Sequence, residues 1–150
     1  MKKNLTIIFV VLITVVFTFL YKIETGKNTY KRTEIKISGV SFNAFISDTE
    51  TLREKGLSGF SSLKDGEAML FVFQKPDIYG FWMKDVSFPI DILWLDKDFK
   101  VIHMEKNVSP NTYPNSFYPS KPAQYAIEFR ANLLDKIDLA EGDSVAIDNI

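Results

Sequence analysis

The chain has 150 residues, with 18 Lys and Arg against 19 Asp and Glu, and this formal charge of −1 gives no cationic excess for binding nucleic acid. It has no cysteine and a single histidine, His103, which excludes disulfides, thiol nucleophiles, thiolate metal sites and the usual multi-histidine zinc arrangements. The length suits one domain, and neither a metal nor a cofactor is expected.

Residues 5–21 read LTIIFVVLITVVFTFLY, 17 positions with no charge, Gly or Pro. At about 1.5 Å per residue this reaches roughly 25 Å, enough to span a bilayer core once Lys3 and Lys22 snorkel at its ends. A cleaved secretory signal would end in small residues, whereas this segment ends in Phe19, Leu20, Tyr21 and Lys22. The segment is therefore expected to be a single-pass signal-anchor in membrane lipid behind an n-region at residues 1–4, with secretion after cleavage as the alternative. Lys22, Lys27, Lys31 and Arg32 follow the segment and Lys2 and Lys3 precede it, so a bare positive-inside count would place the domain in the cytoplasm. The signal-like n-region and the ease with which large domains translocate favour an extracytoplasmic domain instead.

Residues 22–32 read as a polar linker and residues 33–150 as the globular domain. Without residues 1–21 the chain keeps 16 basic and 19 acidic residues, a charge of −3 that suits a soluble, monomeric domain with no polyanion-binding face. Period-two alternation then dominates. EIKIS and VSFNAFIS flank Ser38-Gly39 as a hairpin, Asp48 caps a short helix ending near Gly56 or Gly59, and EAMLFVF and GFWMK are strands separated by a loop over residues 74–79. IDILWLD and KVIHMEK form a second hairpin around residues 97–99. Four of the six prolines fall within residues 108–122, which reads as a long surface loop. QYAIEF and DSVAIDN are the last strands, with ANLLDKIDL between them as a short helix or turn. About seven strands and two short helices predict a small mainly-β sandwich or barrel-like domain.

The densest stretch, FWMKDVSFPIDILWLD, places Trp82, Lys84, Asp85 and Asp91 among bulky apolar residues. An unpaired charge seldom enters a core, so these groups either face water at strand ends or meet in a pocket. Asp91 precedes a run that is apolar on both parities, the pattern of a strand covered on both sides. In the strand YAIEF, Glu128 alternates away from Tyr125, Ile127 and Phe129. It is either a solvated outer residue or a partner of Lys84 or Asp91, and two neighbouring carboxyl groups could split their pKa values for acid–base work.

These blocks resemble the bacterial and archaeal domain-of-unknown-function family 192: Arg53 with Gly56-Leu57, then Ala68-Met69-Leu70-Phe71, then Trp82-Met83-Lys84-Asp85-Val86 with Pro89-Ile90-Asp91, then Ala123, Tyr125 and Glu128, and finally Gly142-Asp143 with Val145. The sequence departs from that pattern at Ser58, at Glu67-Ala68, and at Asn132, where glycine is usual. The resemblance implies a compact mainly-β fold, often behind a signal or anchor. It brings no established activity and no catalytic residues. Its shared polar positions, together with Trp82, make Arg53, Trp82, Lys84, Asp91 and Glu128 the candidate ligand-binding residues.

Asp96-x-Asp98 lacks the later ligands of a calcium loop, His103 reads as a structural histidine, and no phosphate loop or nucleophile elbow is present. Three functions are left: a binding or accessory module that presents a small polar cleft to a small molecule, glycan or peptide; a hydrolase or lyase using Asp91 and Glu128 as an acid–base pair; and a protein-interaction module using Phe117 and Tyr118 of the Pro-rich loop.

Overall fold

The computed structural model describes residues 30–150, together with Thr14. The expected n-region, the rest of the anchor and the linker up to residue 29 lie outside the described residues. Among the described residues no helix is long and apolar enough to cross a membrane.

Strands β1 (Arg32–Ile37) and β2 (Val40–Ser47) form the expected hairpin. Ser38 at φ 47° and Gly39 at φ 82° supply the two left-handed residues that a tight hairpin of this hand requires. Helix α1 (Glu50–Lys55) is capped by Thr49, one residue later than expected, whose side chain accepts from the Leu52 amide at 3.3 Å. Gly56, at φ 47°, ends the helix. The chain then returns as β3 (Glu67–Asp77), parallel to β2. This strand continues through Pro76, where a loop was expected. The ladder to its neighbour shifts register between Val72 and Asp77, so no hydrogen bond is demanded of the proline.

Strands β5 (Ile90–Leu95) and β6 (Val101–Val108) form the second hairpin. In its turn the Asp96 carboxylate accepts from the Asp98 and Lys100 amides at 2.8 and 2.9 Å, which occupies it structurally. Strand β8 (Ala123–Arg130) lies between β3 and β5 and is antiparallel to both, and β9 (Ala146–Ile147) extends the far edge. The result is a curled seven-stranded sheet, ordered β6-β5-β8-β3-β2-β1-β9. Two further short strands, β4 (Phe81–Trp82) and β7 (Ser116–Phe117), pair as a separate ribbon. The domain is thus mainly β, with α1 as the only α-helix among residues 30–150; residues 131–139 form turns instead of a second helix.

The middle strands are covered on both faces. Met69 and Phe71 of β3, Ile92 and Trp94 of β5 and Ala126 of β8 share one apolar compartment. The alternate residues, Leu70, Leu93, Leu95, Ile127 and Phe129, pack into the other. Asp91 belongs to the second side, opposite Phe129 in the ladder, and is fully buried. Its Oδ1 accepts from the Asn107 amide at 2.8 Å, and its Oδ2 accepts from the Leu133 and Leu134 amides at 2.8 and 2.9 Å. It thereby fastens the end of β6 and the turn after β8 to the centre of the sheet. That turn passes through Asn132 at φ 66°, a conformation in which Asn is the best-tolerated replacement for Gly.

Removing one acceptor oxygen from this clamp orphans buried amides at about 1–3 kcal/mol each. Asp91→Asn is expected to lower the unfolding free energy in urea by about 2–4 kcal/mol. Hydrogen exchange at the Asn107, Leu133 and Leu134 amides should accelerate by more than at the β1–β2 hairpin. Equal protection in both variants would show that the carboxylate does not hold these segments.

Candidate functional site

On the first side of the sheet, a cavity of about 480 Å³ lies between the α1 end and the β4 segment. Its floor includes Phe71 and Phe73 from β3 and Glu128 from β8. Arg53 and Lys55 from α1 form one wall, and the stretch from Tyr79 to Trp82, followed by Lys84, forms the other.

The walls are held by identifiable contacts. Arg53 spans the gap between α1 and β3: its Nη1 donates to the carbonyls of Asp48 and Val72 at 2.8 and 2.9 Å, and its guanidinium lies 5.6 Å from the Phe73 ring centre. The Tyr79 ring stacks on Phe73 at 3.6 Å, and the buried Trp94 indole donates to the Tyr79 carbonyl at 3.1 Å. Phe81 meets Phe71 edge-on at 4.8 Å. Ser58 donates to the Lys84 carbonyl at 2.9 Å, tying the turn after α1 to the opposite wall. Gly80 is required by close approach, because a Cβ there would run into the Tyr118 ring.

Glu128 is 4 % exposed, and its Oε2 has no hydrogen-bond partner among the described residues. It takes part in no ion pair among the described residues. Burial pushes its carboxyl from the ordinary 4.5 up to about 8. At neutral pH it is accordingly a protonated acid, able to donate one hydrogen bond and accept another. The Tyr30 hydroxyl, which reaches the Gly56 carbonyl at 3.4 Å, is held above its usual range by burial and by the nearby Glu128.

Of the five candidates, Arg53, Trp82, Lys84 and Glu128 border this one cavity, and Asp91 does not. The register pairs Ile92 with Glu128 and Asp91 with Phe129, so strand alternation sends the two carboxyl groups to opposite faces of the sheet. The expected acid–base pair of Asp91 and Glu128 is therefore incompatible with the fold, and both oxygens of Asp91 are already committed to backbone amides. Lys84 pairs with neither acid; it is exposed at the rim. The solvated outer face considered for Glu128 is likewise corrected: Leu57, Phe81 and Met83 bury that side. Phe117, offered as an exposed docking residue, packs partly against the same cluster, whereas Tyr118 is exposed. Lys55 and Tyr30 are not site candidates from the sequence, and Ser58 stands out there only as a departure from the family pattern. The signal available for Tyr30 was a lone aromatic residue in an otherwise polar linker.

The folded protein keeps the Glu128 proton where the unfolded chain has already released it. Between about pH 4.5 and 8, stability therefore falls as pH rises, and it levels off above that window. At roughly 1.4 kcal/mol per pH unit, unfolding free energy should drop by up to about 3 kcal/mol between pH 5.5 and 7.5. Glu128→Gln should remove this part of the slope, as read from urea midpoints of the two proteins at both pH values. Parallel slopes would mean that Glu128 is ionised in the folded state.

Comparison with known proteins places this geometry in a wider group. No curated protein matches the sequence. A candidate transcription regulator from Sinorhizobium meliloti 1021 shares the fold with a TM-score of 0.76 at 21% identity, covering 81% of this chain and 98% of that one. A protein of unknown function from Novosphingobium aromaticivorans DSM 12444 superposes with a TM-score of 0.70 at 25% identity, covering 78% and 84% of the two chains. The profile of DUF192, described as "Uncharacterized ACR", matches residues 33–147, a span that includes every residue of the cleft except Tyr30 at its edge. This chain therefore belongs to domain-of-unknown-function family 192.

Proposed function

We propose that this chain is a membrane-tethered binding module that receives a small polar molecule in the Glu128 cleft on the extracytoplasmic side. One observation carries the reading: a buried carboxyl with an unpartnered oxygen at the floor of a 480 Å³ cavity. A polar group left unsatisfied inside a domain costs about 1–3 kcal/mol, and a ligand that hydrogen-bonds to it recovers that cost. The cavity volume falls in the range of small-molecule sites, and rigid strands position its floor. The uncharged, mostly apolar run at residues 5–21 supports the tether, and the signal-like Met1-Lys2-Lys3 start supports the outward orientation.

Protein docking is a second reading, favoured by the exposed rings of Trp82, Tyr113 and Tyr118, which are 52%, 48% and 57% accessible. They lie beside the cleft, with Trp82 and Tyr113 in edge contact at 6.3 Å, so they equally suit the rim of a ligand site. The description of the Sinorhizobium protein as a candidate transcription regulator finds no support in this chain's acidic balance.

A thermal-shift screen of the full-length protein against sugars, peptides, nucleotides and divalent ions should yield at least one compound that raises the melting temperature, since a ligand selective for the folded state stabilises it. Lys84→Met and Trp82→Ala should abolish that shift while leaving the ligand-free melting temperature within a few degrees, because both side chains are exposed. Lys136→Met, remote from the cleft, should not. A shift that survives both rim substitutions would place the ligand elsewhere.

A further inference from the structure

The cleft's charge and shape narrow its occupant, and the following rests on the binding-module reading above. We propose that the ligand is an anionic sugar: a ring with an apolar face for Trp82 and a carboxylate or phosphate for the cations of the cleft.

Three cations, Arg53, Lys55 and Lys84, line the cavity, and none forms an ion pair among the described residues. Elsewhere on the surface, Lys31, Arg32, Lys106 and Arg130 are each matched to a carboxylate, whereas Lys64, Lys121 and Lys136 stand singly among the described residues; what sets the cleft apart is three such cations around one cavity. Against the three cations stand only the exposed Glu54 and the buried Glu128. Strands β3 and β5, on either side of Glu128, offer it Met69 and Ile92, and the remaining titratable neighbour is Tyr30. With Glu128 protonated, the cavity is net positive. A negative group is therefore the charge it complements.

The floor adds a second requirement. Protonated Glu128 presents a donor and an acceptor at one carboxyl, which fits a hydroxyl group or an anion oxygen better than a second cation. Trp82 supplies the third. It is 52% exposed at the mouth of the cavity, and its indole face can take the C–H face of a pyranose ring while the ring's hydroxyl groups and charge point inward. A bare inorganic anion would leave Trp82 unused, and an uncharged sugar would leave three cations uncompensated.

The test uses the full-length chain in a detergent without a sugar headgroup, titrated with glucuronate, glucose 6-phosphate and glucose. The chain has two tryptophans and Trp94 is fully buried, so a ligand-induced change in fluorescence that disappears in Trp82→Ala reports Trp82. Glucuronate or glucose 6-phosphate should bind at least tenfold more tightly than glucose, and whichever of the two is stronger identifies a carboxylate or a phosphate as the preferred group. Lys84→Glu should weaken that binding at least tenfold, whereas Lys136→Met, remote from the cleft, should preserve it. Raising the pH from 6 to 9 should weaken glucuronate binding to the wild type, and Glu128→Gln should lack that pH dependence, because ionised Glu128 repels the carboxylate. Equal affinity for glucose, or an anion preference indifferent to Lys84→Glu, would overturn the sugar-anion inference and leave the cleft reading intact. Failure of all three sugars would also overturn it; the cleft reading then stands or falls on the broader screen and its rim variants.

Discussion

Strands β3, β5 and β8 sit in the middle of the sheet with apolar material on both faces, so the side chains of their central, paired residues enter one of two dry compartments. Period-two alternation makes that assignment, and a slip of one residue would reverse it for a whole strand. The ladder fixes it by setting Ile92 opposite Glu128 and Asp91 opposite Phe129. Two acids of similar sequence context are thereby given different fates. Asp91 meets three backbone amides and becomes a fastener, whereas Glu128 meets none and becomes the floor of a cleft. Burial alone does not decide between structure and function; the partners available on each face do.

The same contrast explains which features could be read without coordinates. Both hairpins, the helix end at Gly56 and the two-sided covering of β5 follow from local periodicity and from turn residues, which act over a few positions. The parity of Glu128, opposite to Tyr125 and Phe129, was equally visible. What covers that parity was not, because the lid over it comes from residues 57–63 and 81–88, distant in sequence and without regular periodicity. Arg53, Trp82, Lys84 and Glu128 were legible as candidates through the resemblance to the family. Their convergence on one cavity depends on β8 inserting between β3 and β5, a long-range pairing that no local pattern encodes. Asp91 was misassigned for the same reason, since its partners at Asn107, Leu133 and Leu134 become visible only once the chain is folded.

The cleft also carries a cost that the rest of the fold avoids. Replacing a buried, unpartnered acid by an apolar residue of similar size generally stabilises a domain. Here the orphaned Oε2 sits beside aromatic walls that could close over it, yet a cavity is kept open by Arg53 bridging α1 to β3 and by Ser58 holding the Lys84 backbone. The local rule that buried polar atoms are satisfied is broken at the floor of this cavity, which is the feature the proposed binding role rests on. Ser47 Oγ, the other buried side-chain polar atom without a partner among the described residues, shares this side of the sheet through the parity of Phe45.

The entry point of the chain links the cleft to the proposed tether. Tyr30 packs edge-on against Phe45 and Phe60 and touches Gly56, at the border of the cavity, immediately before β1 begins. On the anchored reading, only residues 22–29 separate this border from the bilayer, and a fully extended segment of that length spans roughly 27 Å. A site so placed would meet ligands in the layer adjoining the lipid surface, where Lys22 and Lys27 would add to the positive charge of Arg53, Lys55 and Lys84. On the proposed readings, tether and cleft would act on the same charged ligand: the first would set where it is met, and the second which ring it carries.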